Sequence, residues 1–425
     1  MGNPKVKLLT FNTWGLKYVS KFRKQRLTAL AERLSNPTSE SDNYDVVALQ
    51  EIWCAEDWEL IDKLCTSLFP YRRWFSSGII AGPGLAILSK IPIESTFLYR
   101  FPINGRPSAF FRGDWYVGKS IAVAKLKPLT KNSSPVAILN SHMHAPYSLV
   151  GDAAYSTHRT CQAWDFAEIA STLSKAGYAV IIVGDLNSKP GSLPFRIFQA
   201  ESGVKDSWEL INGVQDLNEI KEMPAELQIE VGGTTCDSLL NTWRADRKPD
   251  EACRLDYAFI DDKKLKPIDA KVVFTEKIPN IGSYSDHFAY TTTLEVLPIT
   301  NTNNEINVNS DILNLKKKLY LDIKLEITNY INKTVPFQKN WRMLHFFISY
   351  LLIIGVLVAI TFPAVIAPWS AVLLCLFGIV LAVTGTANGM ICYLFGRSEL
   401  RNLKEVLMEC DDKMRSINEL IKESN

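Results

Sequence analysis

Six segments of this 425-residue chain bring apolar runs up against residues that carry chemistry. VKLLTF leads into Asn12, DVVALQ into Glu51, VAILNS into His142 and His144, and AVIIVG into Asp185 and Asn187. CRL leads into Asp256, and SYSDHF sets Asp286 and His287 just ahead of a last apolar run. Carboxylate and carboxamide oxygens are the ligands that hard divalent cations take. Histidine moves protons near neutral pH. One polar residue at a strand end is usually a turn former. Six segments with these residue types point instead to a site, because strand ends of one sheet converge on one edge.

The runs themselves read as strands at 6–11, 45–49, 85–88, 121–126, 136–139, 179–183, 255–260 and 289–297. Helical spacing predicts helices near 26–34, 56–68 and 160–176, the first stopped by Asn36-Pro37 and the last by Gly177. The alternation predicts an α/β domain over 1–297 with a large, mostly buried sheet system. Charged residues at 22% exclude wholesale disorder, and 47% hydrophobic residues suffice for a core. The 47 basic and 45 acidic residues leave +2, which gives no electrostatic footprint for a nucleic-acid binder. The eight cysteines show no zinc spacing and read as free thiols.

Gly113-Asp-Trp-Tyr-Val-Gly118-Lys119-Ser120 fits the phosphate-loop pattern. A true phosphate loop opens a helix, whereas SIAVAKL reads as a strand, so ATP binding is not expected.

FNTWG, LQEIW, SHMHA, GDLNS, RLDY and SDH, in that order over about residues 5–297, resemble the motif set of the endonuclease/exonuclease/phosphatase superfamily. Within it the chain is similar to the neutral sphingomyelinases, most of all to fungal members acting on inositol phosphosphingolipids. The resemblance implies a four-layer αββα sandwich and Mg²⁺-dependent phosphodiester cleavage. It implies a phospholipase C reaction that yields ceramide and a phosphorylated head group, with sphingomyelin as a further substrate. Glu51, Asn12 and Asp286 would then serve the metal. His287 is the best general base, and by resemblance Asp256 orients its ring. Asp185 and Asn187 would position water or bind the phosphoryl group. His142 would stabilise the transition state, with His144, two residues on, as the alternative for that role. Asp114 and Lys119, in a segment like one of the membrane neutral sphingomyelinases, would serve the lipid phosphodiester or the gating of the site.

Between Arg342 and Arg397 lie 54 residues without Asp, Glu, Lys or Arg. At about 20 residues per span, that is a two-helix transmembrane hairpin over 343–396 turning at Pro363 and Pro368. Lys333, Lys339 and Arg342 precede it, and Arg397, Arg401 and Lys404 follow it. The positive-inside rule therefore sets both flanks, and the catalytic domain, in the cytosol. The endoplasmic reticulum and the mitochondrial outer membrane fit equally. The N-terminal MGNPKVKLL has no signal-peptide run, and Val6 stands where myristoylation needs Ser or Thr.

Residues 298–310 read as an Asn-rich linker, 311–342 as a basic amphipathic juxtamembrane helix and 397–425 as a heptad helix. The two flanking helices are expected to pair, within one chain or across a homodimer. The juxtamembrane helix carries seven basic and three acidic residues, so anionic phospholipids are expected as activators. The readings set against this one are a nuclease or inositol-phosphate phosphatase of the same superfamily and a catalytically inactive membrane adaptor.

Overall fold

The computed structural model describes residues 2–299 and 310–424, so most of the expected linker, 300–309, lies outside the described residues. Val46–Gln50, Leu85–Ser89, Val136–His142 and Ala179–Asp185 are buried at every position. That is the signature of strands covered on both faces. One six-stranded sheet runs, in spatial order, Leu265–Val273, Ala289–Val296, Lys5–Asn12, Val46–Gln50, Leu85–Ser89 and Tyr71–Phe75. The other runs Ile93–Arg100, Ser120–Leu126, Val136–His142, Ala179–Asp185, Asp256–Ile260 and Lys205–Asp206. Each has one parallel pair near its centre, Lys5–Asn12 with Val46–Gln50 and Val136–His142 with Ala179–Asp185.

Strand periodicity decides the layers. Leu8, Val46, Ala48 and Ile87 of the first sheet pack on Ala122, Ile138, Ile181 and Val183 of the second. One residue on, Leu9, Val47 and Leu49 face the other way, under Leu27, Leu30 and Ile61 of helices Arg23–Ser35 and Ala55–Cys65. Outside the second sheet, the Phe198 ring packs between Phe259, tilted, and Phe166 of helix Ser156–Lys175, edge-on, each at 5.4 Å. Helix, sheet, sheet, helix is the expected four-layer sandwich.

Ile93–Arg100 and Tyr71–Phe75 are edge strands that the apolar runs did not reveal. Their exposed positions mix polar Glu94, Ser95, Arg100 and Arg73 with Phe97 and Tyr71, and pairing with a buried neighbour makes them strands.

A second compact unit comprises Gly105–Arg112 and Val308–Asn425. The expected boundaries at 342/343 and 396/397 are not helix ends. Ser310–Ala359 is one helix that runs through Pro336, and Trp369–Met390 continues through a π-turn into Gly396–Ser424. A change from charged to apolar side chains alters a helix's solvent, not its backbone bonding. Both helices contain stretches long and apolar enough to cross a membrane, with Leu351, Leu357, Leu373 and Val383 exposed. They approach closely where Gly385 and Gly389 leave room. A Cβ on either would sit 2.6 Å from Ser349 or Phe346, the small-xxx-small device of membrane helix pairs.

Beyond the apolar stretch, the flanking segments pack antiparallel within the one chain. Lys317 Nζ donates to Asn418 Oδ1 at 2.9 Å, Lys324 pairs with Asp411, and Tyr330 Oη donates to Glu399 Oε1 at 2.8 Å. Leu319, Ile323 and Ile327 are buried on one helix, and Leu403, Val406, Cys410 and Ile417 on the other. Ile312 and Leu315 are exposed where the partner helix is ending.

Candidate functional site

The two parallel pairs end side by side, and their ends carry the polar residues. Asn12 registers with Gln50, His142 with Asp185, and Asp185 with Asp256. Beneath them the sheets are clamped. Gln50 Nε2 donates to Asn140 Oδ1 at 2.8 Å, and Asn140 Nδ2 donates to the Leu49 carbonyl at 3.0 Å. Glu51 and Asn187, each just past a strand, adopt φ of 64° and 47°. This left-handed region is costly for such residues and is held by surrounding structure.

Asp185 Oδ2 is the hub. It accepts from Asn12 Nδ2 at 3.0 Å and lies 3.5 Å from His142 Nε2 and 3.9 Å from His287 Nε2. Its other oxygen accepts the Asn187 backbone N–H at 3.0 Å, while Asn187 Nδ2 donates to the Met143 carbonyl. Asn12 Nδ2 also donates to Glu51 Oε1 at 3.1 Å, so Glu51 and His287 lie on one cluster joined through Asn12 and Asp185. His287 Nδ1 meets Asp256 Oδ2 at 2.8 Å.

The charges in this cluster are poorly compensated. Burial, then the neighbouring Asp286, pushes Glu51 up to about 7. Burial likewise raises Asp185 to about 6, with His287 opposing. Burial would lower His287, but Asp256 and then Asp185 hold it well above the ordinary imidazole range. Burial and Lys119 keep His142 well below that range, and its Nδ1 is buried with no hydrogen-bond partner among the described residues. Two residues on, His144 has left the strand. Its ring stacks on Tyr155 at 3.9 Å, its Nε2 is 3.8 Å from Asp114, and burial takes it down to about 3 despite that carboxylate. The structure thus brings His142, not His144, to Asp185.

Among the described residues no three His, Cys, Asp or Glu side chains form a ready cation cage. The donor chemistry still fits a hard cation that keeps most of its waters. Glu51 is a buried carboxylate with no ion-pair partner among the described residues, held only by Asn12 and by Trp53 Nε1 at 3.3 Å. Asn12, expected to offer its amide oxygen, turns its nitrogen to the two flanking carboxylates, and its Oδ1 accepts the Trp14 N–H. Asp286, expected near the metal, accepts from Arg244 Nη2 at 2.6 Å. Arg244 was not anticipated, because LNTWRADRK carries no motif, and only folding sets it against the SDH segment.

The phosphate-loop look-alike also reaches the cluster. Asp114–Val117 is a single helical turn followed by strand Ser120–Leu126. Lys119 Nζ is 3.3 Å from Asp114 Oδ1 and lies over the Trp53 ring at 5.9 Å, with only 2% of the residue exposed. Tyr147 Oη donates to Asp114. Breaking such a buried pair from one side costs roughly 3–5 kcal/mol. Lys119→Met is therefore expected to lower both the melting temperature and turnover. Lys119→Met/Asp114→Asn should recover most of the stability but remain at least about tenfold slower. Recovery of both in thermal unfolding and rate measurements would make the pair purely structural.

The model of the Endonuclease/Exonuclease/phosphatase family matches residues 9–287. The inositol phosphosphingolipids phospholipase C of Saccharomyces cerevisiae is 52% identical, over 96% of this chain and 90% of that protein. That of Schizosaccharomyces pombe is 36% identical, over 96% of this chain and 94% of its own. Among solved structures, beta toxin from Staphylococcus aureus superposes with a TM-score of 0.50 at 20% identity, covering 68% of this chain and 99% of the toxin. That last likeness concerns the fold alone.

Proposed function

Because the chain belongs to the endonuclease/exonuclease/phosphatase family, we propose that it is a phospholipase C of inositol phosphosphingolipids. It splits the phosphodiester into ceramide and a phosphorylated head group, and acts on sphingomyelin as well. The observation that carries the reading is the buried set Asn12, Glu51, His142, Asp185, Asp256 and His287 where the strand ends of the two sheets meet. These groups are costly to bury together, and a scaffold has no use for them.

In this reading the neutral, minority form of His287 takes the proton of the attacking water at Nε2, and Asp256 fixes the ring through Nδ1 and stabilises the cation that results. Asp185 and Asn187 align that water. Lys119, held by Asp114, faces the negative phosphoryl oxygens, and His142 stands on the leaving-oxygen side. Glu51, with Asn12 and Asp286 beside it, would hold a magnesium ion. Bound there, the ion supplies charge neutralisation at the phosphate. The two apolar helices anchor the enzyme, with the catalytic unit in the cytosol at the endoplasmic reticulum or mitochondrial outer membrane. The basic stretch before the first span recruits anionic phospholipid, at about 1 kcal/mol per basic group near the surface.

The test is hydrolysis of inositol phosphoceramide and sphingomyelin in vesicles with and without phosphatidylserine, beside duplex DNA. The expected result is release of phosphorylated head groups, abolished by chelator, faster on anionic vesicles, with DNA uncut. DNA cleavage with both lipids intact would replace the reading with a nuclease. Equal rates on both vesicle types would remove lipid activation alone.

A further inference from the structure

We propose that Cys236 and Cys253 form a redox-active pair that closes to a disulfide under peroxide and, in closing, deforms the site. The two residues face each other as a hydrogen-bonded antiparallel pair. Cys236 N donates to the Cys253 carbonyl at 2.9 Å, and Cys253 N donates back at 3.0 Å. Cα atoms in such a pair lie about 5.5 Å apart, inside the range that a disulfide spans. Both thiols are free, Cys236 buried and Cys253 with some solvent exposure. The neighbouring Cys236 thiol holds Cys253 below the usual thiol range, while Cys253 and burial push Cys236 well above it. The more acidic thiol therefore belongs to the less buried residue of the two, the arrangement of an attacking cysteine with a resolving partner.

Their position couples them to the chemistry. The other edge of Cys236 bridges His287, and the adjacent Thr235 carbonyl accepts the Phe288 N–H at 2.7 Å. Thr235 Oγ1 accepts the backbone N–H of Leu255 at 3.1 Å and of Asp256 at 3.3 Å. Residues 235–236 are thus a slat between the segment that leads into Asp256 and the segment that carries His287. The next residue, Asp237, pairs with Arg244, which holds Asp286. Drawing Cys236 toward Cys253 pulls this slat away from His287 on the other side.

The reaction balances with hydrogen peroxide as oxidant. The Cys253 thiolate attacks one peroxide oxygen, the O–O bond breaks, and a sulfenic acid and, after protonation, one water result. The Cys236 sulfur then displaces the sulfenic oxygen as a second water and forms the S–S bond. Two thiols and one peroxide become one disulfide and two waters.

The formation of the bond stands apart from the proposed reaction, and its effect on turnover rests on it. The full chain in detergent is treated with hydrogen peroxide, alkylated and digested without reductant, and turnover on inositol phosphoceramide is followed in parallel. The expected result is a Cys236–Cys253 linked peptide and a fall in rate of about tenfold, the scale of a sub-ångström misplacement. Dithiothreitol reverses both, and Cys253→Ala and Cys236→Ser prevent both. Absence of the linked peptide overturns the pair. A linked peptide with unchanged turnover overturns the coupling. An untreated enzyme that cleaves no phosphodiester strikes the proposed function instead, and the peptide map still decides the pair.

Discussion

Replacing His287 with alanine is expected to lower kcat on inositol phosphoceramide by about a thousandfold, within the range typical of a lost general base. The KM should hardly move, because in the proposed reaction the ring acts on water rather than on the lipid, and an interaction made only in the transition state falls out of kcat. Alanine also strands Asp256, whose Oδ2 meets the ring at 2.8 Å and whose Oδ1 is already buried with no hydrogen-bond partner among the described residues. His287→Gln separates chemistry from folding. Its amide can still donate to Asp256 but cannot take a proton near neutral pH, so its rate should fall with alanine's while its melting temperature stays near wild type. Turnover within tenfold of wild type for either folded variant would remove His287 from the reaction.

The second large effect is at Glu51, where activity and stability are expected to move in opposite directions. Burial and Asp286 make its negative form costly, and no ion pair among the described residues offsets it. Glu51→Gln keeps the shape and the Asn12 contact and removes that charge. In chelator the variant should melt higher than wild type, on the order of 5 °C. A tenfold change in proton affinity is worth about 1.4 kcal/mol, and a domain of this size gains about 2–4 °C per kcal/mol. Magnesium should raise the melting temperature of wild type, because a ligand bound only by the native state stabilises it, and should leave the variant unmoved. Turnover should fall at least about a hundredfold. Differential scanning with and without magnesium reads the first two effects without any assay of activity. A variant that still gains stability from magnesium would place the cation elsewhere.

Periodicity and residue type were enough to read the central strands and the apolar hairpin, while the four layers came from the family resemblance. Buried strands that alternate inward and outward leave runs such as VKLLTF and AVIIVG, and 54 residues without charge have few other uses. The polar residues at the ends of those runs were legible for the same reason, since each sits at, or within three positions of, the end of a strand whose direction is set. Edge strands such as Ile93–Arg100 were not, because their partners make them strands. Nor was the continuity of Ser310–Ala359, because composition reports the solvent a helix faces and not where its hydrogen bonds stop.

What only the tertiary structure decided is which atoms meet. His142 and His144 are equivalent by spacing, yet the chain turns out of its strand after His142 and sends His144 to Asp114 and Tyr155. Arg244 on Asp286, Lys119 beside Trp53 and Cys236 between Cys253 and His287 join segments far apart in the chain. Local sequence sets backbone direction within a few residues. Contacts between distant segments depend on how two whole sheets pack, and that packing is a property of the assembled core.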